Sequence, residues 1–250
     1  MRYFIEVAYD GTAFHGSQVQ GEQPTVQLAL NRALSTILRG AVETFGASRT
    51  DEGVHALANV YHFDWEGVLH PQLVYKLNAL LPRQMAANAL YQPHNRELNA
   101  RFDAVKRRYR YKIYHKKDPF KFGRALFFPY PIDVASLHQT AALIKETNSF
   151  ESFCKRNGQN HTYLCTIYQS YWEQKDDELH YIVEANRFLR GMVRALVGTQ
   201  LRVMRKANPV EEMARIINAK DCTQADFSVT GNGLYLEEVC YPAGALQLLG

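Results

Sequence analysis

Apolar residues in this chain recur every second residue in some segments and every third or fourth in others, and the two spacings take turns along its length. Side chains alternate across a strand but return to one face of a helix after three or four residues, so the chain must build strands and helices around a shared core. Tyr3, Ile5, Val7 and Tyr9 share one face over residues 2–10. Val26, Leu30, Ala33, Leu34, Ile37 and Leu38 follow at helical spacing, with Thr25 placed to cap and Gly40 to stop the helix. Leu57, Tyr61, Phe63 and Trp65 alternate again over 55–65. Leu73, Val74, Leu77, Leu80 and Leu81 then return to helical spacing behind Pro71, and a short strand fits 85–91.

The second half repeats this mixture. A strand is predicted over 107–115, a Lys/Phe/Pro-rich loop over 116–131, and a helix from the capping Asp133 to about residue 147. Strands near 163–174 and 179–187 flank a polar turn at Asp176 and Asp177. Phe188–Met204 carries the strongest helical stripe, through Leu189, Met192, Val193, Leu196 and Val197. A short helix near 210–219, a strand near 234–242 and an irregular tail over 243–250 complete the chain. The sequence therefore predicts an α+β fold in two domains, an N-terminal one over 1–104 and a C-terminal one over 105–250. With 46% hydrophobic residues, a core of ordinary size can form.

The net charge of +4 does not by itself point to nucleic acid, but its distribution does. Arg101, Lys106, Arg107, Arg108, Arg110 and Lys112 make half of the twelve residues 101–112 basic, against Asp103 alone. Lys116, Lys117, Lys121 and Arg124 follow, and residues 187–206 hold six more cations and no acid. Such runs suit a phosphate-binding face or a solvated basic surface. Four cysteines lack C-x-x-C spacing, which speaks against zinc. Neither a secretory leader pattern nor an apolar run of about 20 residues is present, so a cytoplasmic protein with reduced thiols is expected.

The stretch Gly46-Ala47-Ser48-Arg49-Thr50-Asp51-Glu52-Gly53-Val54-His55-Ala56 gathers a cation, two acids and a histidine between a predicted helix and a strand. Loops in that position often carry function, and the same composition also suits a polar turn closed by Asp51. No nucleophile elbow and no phosphate-binding loop occurs. Asp51 and Glu52 make a poor glycosidase pair, because neighbours on a strand point to opposite faces.

Arg49-Thr50-Asp51-x-Gly53-Val54-His55-Ala56 closely resembles the signature of the tRNA pseudouridine synthase A family. Further segments resemble that family in order. They are Tyr9-Asp10-Gly11-Thr12-x-Phe14-x-Gly16-x-Gln18, Thr25-Val26-Gln27, Arg101-Phe102-Asp103-Ala104 with Arg108-Tyr109-Arg110-Tyr111, and Ser149-Phe150-x-Ser152-Phe153-Cys154. Phe188-Leu189-Arg190-x-Met192-Val193-Arg194 and Gly233-Leu234-Tyr235-Leu236 close the series. Ser48, Glu52 and Thr230-Gly231-Asn232 depart from the usual family residues and leave the expected catalytic ones intact.

The resemblance implies two ferredoxin-like, RNA-recognition-like units whose sheets merge around a central basic catalytic cleft. It implies isomerisation of uridine to pseudouridine in the anticodon stem-loop of tRNA, at positions 38, 39 and 40, by a homodimer that needs no metal and no cofactor. Asp51 then matches the essential aspartate, which attacks C1′, attacks C6 or takes a proton from C2′. Arg194 matches the arginine that pairs with it, and Tyr109 the tyrosine that stacks on the target base. Arg49, Arg101, Arg107, Arg108, Arg190, Lys116 and Lys117 are the expected RNA contacts. A non-catalytic RNA-binding module would have no need of Asp51, Tyr109 and Arg194 together.

Overall fold

In a computed structural model that describes residues 1–156 and 162–249, the first alternating segment is strand β1 (Arg2–Tyr9). Its Tyr3, Ile5, Val7 and Tyr9 face is buried as the spacing requires. Helix α1 (Val26–Leu38) starts where the Thr25 hydroxyl accepts the Leu28 N–H. It ends at Arg39, which itself takes the left-handed conformation, so Gly40 is not the stop. A side chain at position 40 would press on the Trp65 indole, which accounts for the glycine there. Strand β2 (Thr44–Gly46), strand β3 (His55–Asp64), helix α2 (Leu73–Leu80) and strand β4 (Met85–Pro93) complete the N-terminal run.

The chain divides into two compact units, each described by itself. The first comprises Met1–Lys106 together with Tyr235–Gly250. In it β1 lies between β4 and β3, antiparallel to both. Strand β9 (Leu234–Cys240) runs parallel to β3, pairing Tyr235 with His55 and Leu236 with Ala56. Strand β10 (Leu246–Leu248) pairs with β4. The tail read as irregular thus holds a strand too short to show a period; Gly250 lies outside the described residues. The sequence reading kept residues after 234 with the second domain, whereas their contacts place them here.

The sheet of this unit is covered on both faces. One face buries Ile5, Val7 and Phe63 with Leu30, Leu34 and Leu77 of the helices. On the other, Phe4, Val60, Ala47 and Ala100 form a core that Val239, Tyr241 and Leu246 close. The Tyr241 hydroxyl donates to the Ala100 carbonyl at 2.7 Å. Because both faces of β3 are used, its one-sided alternation fails: Val60 and His62 are buried as well as Tyr61 and Phe63.

The second unit is Arg107–Leu234. Strands β5 (Lys106–Tyr114), β7 (Ile167–Lys175) and β8 (Glu178–Ala185) form an antiparallel sheet in the order β5-β8-β7. Asp176 turns between β7 and β8 at φ 53°. The predicted loop 116–131 contains a two-residue strand, β6 (Leu126–Phe127), parallel to β5. Helix α3 (Val134–Glu146) is capped by Asp133, whose carboxylate accepts the Ser136 N–H at 3.1 Å. Helix α4 (Met192–Val203) is almost wholly buried, and Gln200 within it accepts the Trp172 indole N–H at 2.9 Å. It begins at Met192, not at Phe188, after Gly191 at φ 72°. Helix α5 (Pro209–Ala219) follows. Among the described residues no helix is long and apolar enough to cross a membrane.

His62 shows how tightly the first unit is closed. Its ring is buried, stacks on Phe45 at 5.2 Å, and accepts the Ala100 N–H at Nδ1. Burial pushes its pKa down from 6.5 to about 4, helped by the Arg2 guanidinium and opposed by Asp64. An unfolded histidine takes up a proton near pH 6.5, and folded His62 resists until about pH 4. The stability from keeping it neutral is therefore complete above the higher value and is lost as pH falls towards the lower one. His62→Asn should lower stability at pH 7 yet flatten the loss between pH 6.5 and 4, as read by denaturant unfolding at several pH values. An unchanged pH slope would show that His62 does not drive it.

Candidate active site and RNA interface

The loop between β2 and β3 holds Asp51, and its neighbours are pinned from several directions. Thr50 donates its N–H to the Ser17 hydroxyl at 2.8 Å, and its carbonyl accepts the Ser17 N–H at 3.0 Å. The Thr50 and Tyr9 hydroxyls lie 2.9 Å apart. Buried Asn59 donates to the Ser48 carbonyl at 3.0 Å and to the Tyr9 hydroxyl at 3.1 Å. Beyond Asp51, Gly53 turns at φ 76° and the Val54 N–H returns to the Asp51 carbonyl at 3.2 Å. His55 then enters β3, buried, its ring stacked on Tyr235 at 4.5 Å. Its Nδ1 accepts the Gly11 N–H at 3.1 Å and lies 3.3 Å from the Asp10 carboxylate. Asp51 itself is half-buried, so a carboxylate with access to solvent stands on a loop that is not free to move.

The segment Tyr9–Ser17 is the other half of this construction. Sequence reading found its pattern without assigning it work; the structure makes it the cradle of the Asp51 loop. Gly11 is glycine because a Cβ there would collide with the Val54 carbonyl. Gly16 turns at φ 85° against Thr50. Glu52 is exposed and lies 3.6 Å from His15, away from the buried contacts.

In the second unit, Tyr109 sits on β5, 7% exposed, edge-on to Phe188 at 5.1 Å. Arg194 is half-buried near the start of α4, and its Nε donates to the Val229 carbonyl at 2.8 Å. The guanidinium is therefore aimed by backbone, which a freely solvated helix arginine would not be. Arg190 precedes α4 and is exposed, so it does not share a helical face with Arg194. No signal in the sequence marked where the helix starts except Gly191.

The basic runs turn out to be unequal in what they can offer. Arg107 is 7% exposed and donates to the Asn186 carbonyl at 2.8 Å. Arg108 donates to the Tyr171 hydroxyl at 3.3 Å, and Arg110 pairs with Glu173 at 3.0 Å. Lys121 is tied to Asp177 and Glu178, and its ammonium holds the Asp177 carboxyl below the usual range. Lys116, Lys117, Arg49, Arg101 and Arg190 are exposed. Among the described residues no cluster of three or more His, Cys, Asp or Glu side chains could hold a metal ion.

Residues 147–242 match the family described as tRNA pseudouridine synthase. The chain is 39% identical over 243 residues to tRNA pseudouridine synthase A of Parabacteroides distasonis, covering 96% of each protein. It is 41% identical over 245 residues to the protein of that name from Bacteroides thetaiotaomicron, with 96% of this chain and 91% of the relative covered. For Latilactobacillus sakei the identity is 37% over 246 residues, covering 96% and 98%. The chain belongs to the tRNA pseudouridine synthase A family, a family of isomerases.

The cradle makes a direct prediction. Gly11→Ala should cost about 1–3 kcal/mol, the usual range for forcing extra atoms into a packed site. It should also raise hydrogen exchange at Thr50 and Val54, because the added methyl must displace backbone. Parent-like unfolding and exchange would mean that Tyr9–Ser17 does not hold the loop.

Proposed function

We propose that the protein isomerises uridine to pseudouridine in the anticodon stem-loop of tRNAs, at positions 38, 39 and 40. The observation that carries this reading is the Arg49-Thr50-Asp51 loop, fixed on both sides of its carboxylate, in a chain that matches named synthases over almost its full length. The reaction breaks the N1–C1′ bond of the uridine and forms a C5–C1′ bond; C5 gives up its proton and N1 takes one up. The net change is a rearrangement within one nucleotide. Asp51 is the group we assign to the sugar or base, as a nucleophile at C1′ or C6 or as the base that removes the C2′ proton.

In this reading Tyr109 and Arg194 are assigned catalytic roles alongside Asp51, on the family resemblance. Tyr109 supplies the ring against which the base is held and Arg194 a cation that keeps a carboxylate ionised once water is excluded. The target leaves its stack to be reached, since its C1′ and C5 cannot be approached together inside a helix. Exposed Arg49, Arg101, Arg190, Lys116 and Lys117, with Arg108, are assigned to phosphates. Burial of Arg107 gives it a supporting role beneath them. Each unit is read as ferredoxin-like, supported by β1 lying between β4 and β3 and by the β5-β8-β7 order. The active species is taken to be a cytoplasmic homodimer, on the family resemblance, and sedimentation of the free protein reports its mass.

Asp51→Asn keeps the shape of the side chain but not its charge or basicity. It should abolish pseudouridine formation while tRNA affinity stays within about threefold, as scored by mapping pseudouridine in tRNA and by filter binding. Activity within about tenfold of the parent would remove Asp51 from the reaction.

Affinity for tRNA should fall linearly on a log–log plot against salt, since each phosphate contact releases condensed counterions. Charge reversal at Lys116 and Lys117 should flatten that slope for many tRNAs alike. A slope that these changes leave untouched would make the two lysines ordinary surface residues.

A further inference from the structure

Beside the Asp51 loop, within the first unit, lies a cavity of about 170 Å³. Its lining includes two guanidinium groups, Arg49 and Arg101, and two phenyl rings, Phe45 and Phe102. Asp51 is not among the lining residues. Phe45 is 49% exposed and Phe102 75% exposed, a large apolar surface to leave in water. Neither ring is loosely held. Phe45 stacks on the buried His62 ring at an angle of 22°. Phe102 lies under the Arg101 guanidinium, 5.4 Å from ring centroid to carbon, and the Asn99 side chain accepts both backbone N–H groups of residues 101 and 102. Gly46, also in the lining, lets the Tyr61 ring pack close against the backbone, since a Cβ there would press on that ring at 2.8 Å.

The chemistry of these walls narrows the occupant. A site for phosphate alone needs no phenyl rings, and a site for an apolar ligand needs no guanidinium groups. Rings and arginines side by side are how single-stranded nucleic acid is held, the bases on the π-faces and the backbone on the cations. Size narrows it further. The cavity is well below the roughly 300–1,000 Å³ that takes a drug-sized molecule, yet several times the roughly 30 Å³ share of one water, which suits one flat ring. Position narrows it last: Arg49 stands two residues from Asp51, at most about 7 Å of extended backbone.

We propose that this cavity receives an unpaired nucleotide of the substrate RNA other than the uridine being isomerised, its base against the phenyl rings and its phosphate on Arg49 or Arg101. The inference rests on the tRNA reading given above and adds to it a second held nucleotide close to the target. Recognition of the substrate then depends on two displaced nucleotides at a fixed spacing, so a uridine in an uninterrupted helix is rejected even where a single base could be extruded.

The test uses anticodon stem-loop RNAs with one abasic nucleotide placed in turn at each position around the target uridine. Affinity is measured by fluorescence anisotropy for the parent, Phe45→Ala, Phe102→Ala and Phe102→Tyr. With intact RNA, each alanine variant should bind about tenfold more weakly, within the range measured for one lost base–aromatic stack, and Phe102→Tyr should bind like the parent. At one abasic position the parent should lose about the same tenfold, and the alanine variants should lose little more, because the partner is already missing. Alanine variants that bind intact RNA like the parent, or losses that multiply at every abasic position, overturn the cavity's role. Pseudouridine formation by the parent is scored on the intact RNA. Its absence would remove the functional reading beneath the proposal, whereas an active parent with multiplying losses removes the cavity alone. Both rings are largely exposed, so neither substitution empties a core.

Discussion

Two hydrogen bonds between Ser17 and Thr50 join the N-terminal segment to the loop that carries Asp51, and much of the first unit is arranged around them. A loop supplies a side chain with access to solvent, but loops also move, and a reactive carboxylate a fraction of an ångström out of place is of little use. The chain resolves that conflict by fixing the residues on either side of Asp51. Ser48 and Thr50 are held by hydrogen bonds to β1, to β3 or to the segment after β1, and the Val54 N–H closes a turn onto the Asp51 carbonyl. Buried polar groups are costly unless satisfied, and here Tyr9, Asn59, Ser17 and Thr50 satisfy one another. The network works only complete, which gives it a single geometry.

The second unit handles charge in a comparable way. A run of cations on one strand would repel itself, and β5 spreads its basic side chains over two faces. Arg107 turns inward to a carbonyl, while Arg110 meets Glu173 on the neighbouring sheet positions. Lys121 is drawn to Asp177 and Glu178. Such pairs on a partly wet surface add little stability, typically below about 1 kcal/mol each. Their larger effect is on what remains: the cations left exposed, Lys116 and Lys117 among them, define a smaller basic surface than the sequence counts.

Much of this could be read from the chain. Helix and strand positions followed from apolar spacing, and the caps at Thr25 and Asp133 are where their side chains require them. What could not be read has physical reasons. Val60 and His62 break the pattern of β3 because that stretch is covered on both faces, and burial on two faces erases alternation. Strands of two or three residues, β6 and β10, are shorter than any period. The return of β9 to the first unit is a pairing between residues far apart in sequence, His55 with Tyr235, and local spacing carries no record of it. Asp51 stood out because its loop combined a signature with unusual chemistry. Phe45 and Phe102 did not, because a phenylalanine in a sequence is assigned to the core by default and only coordinates reveal that it is exposed.

That return also fixes an order of events during synthesis. Residues 107–234 leave the ribosome as an uninterrupted stretch and can close upon themselves, but the unit that carries Asp51 waits for Tyr235, Tyr241 and Leu246, near the very end of the chain. Until Tyr235 arrives, His55 lacks the ring it stacks on, and His55 and Ala56 lack their strand partners in β9. A nascent or truncated chain can thus carry the whole signature loop without the sheet that supports it, and the arrival of residues 235–246 becomes the step that completes that support.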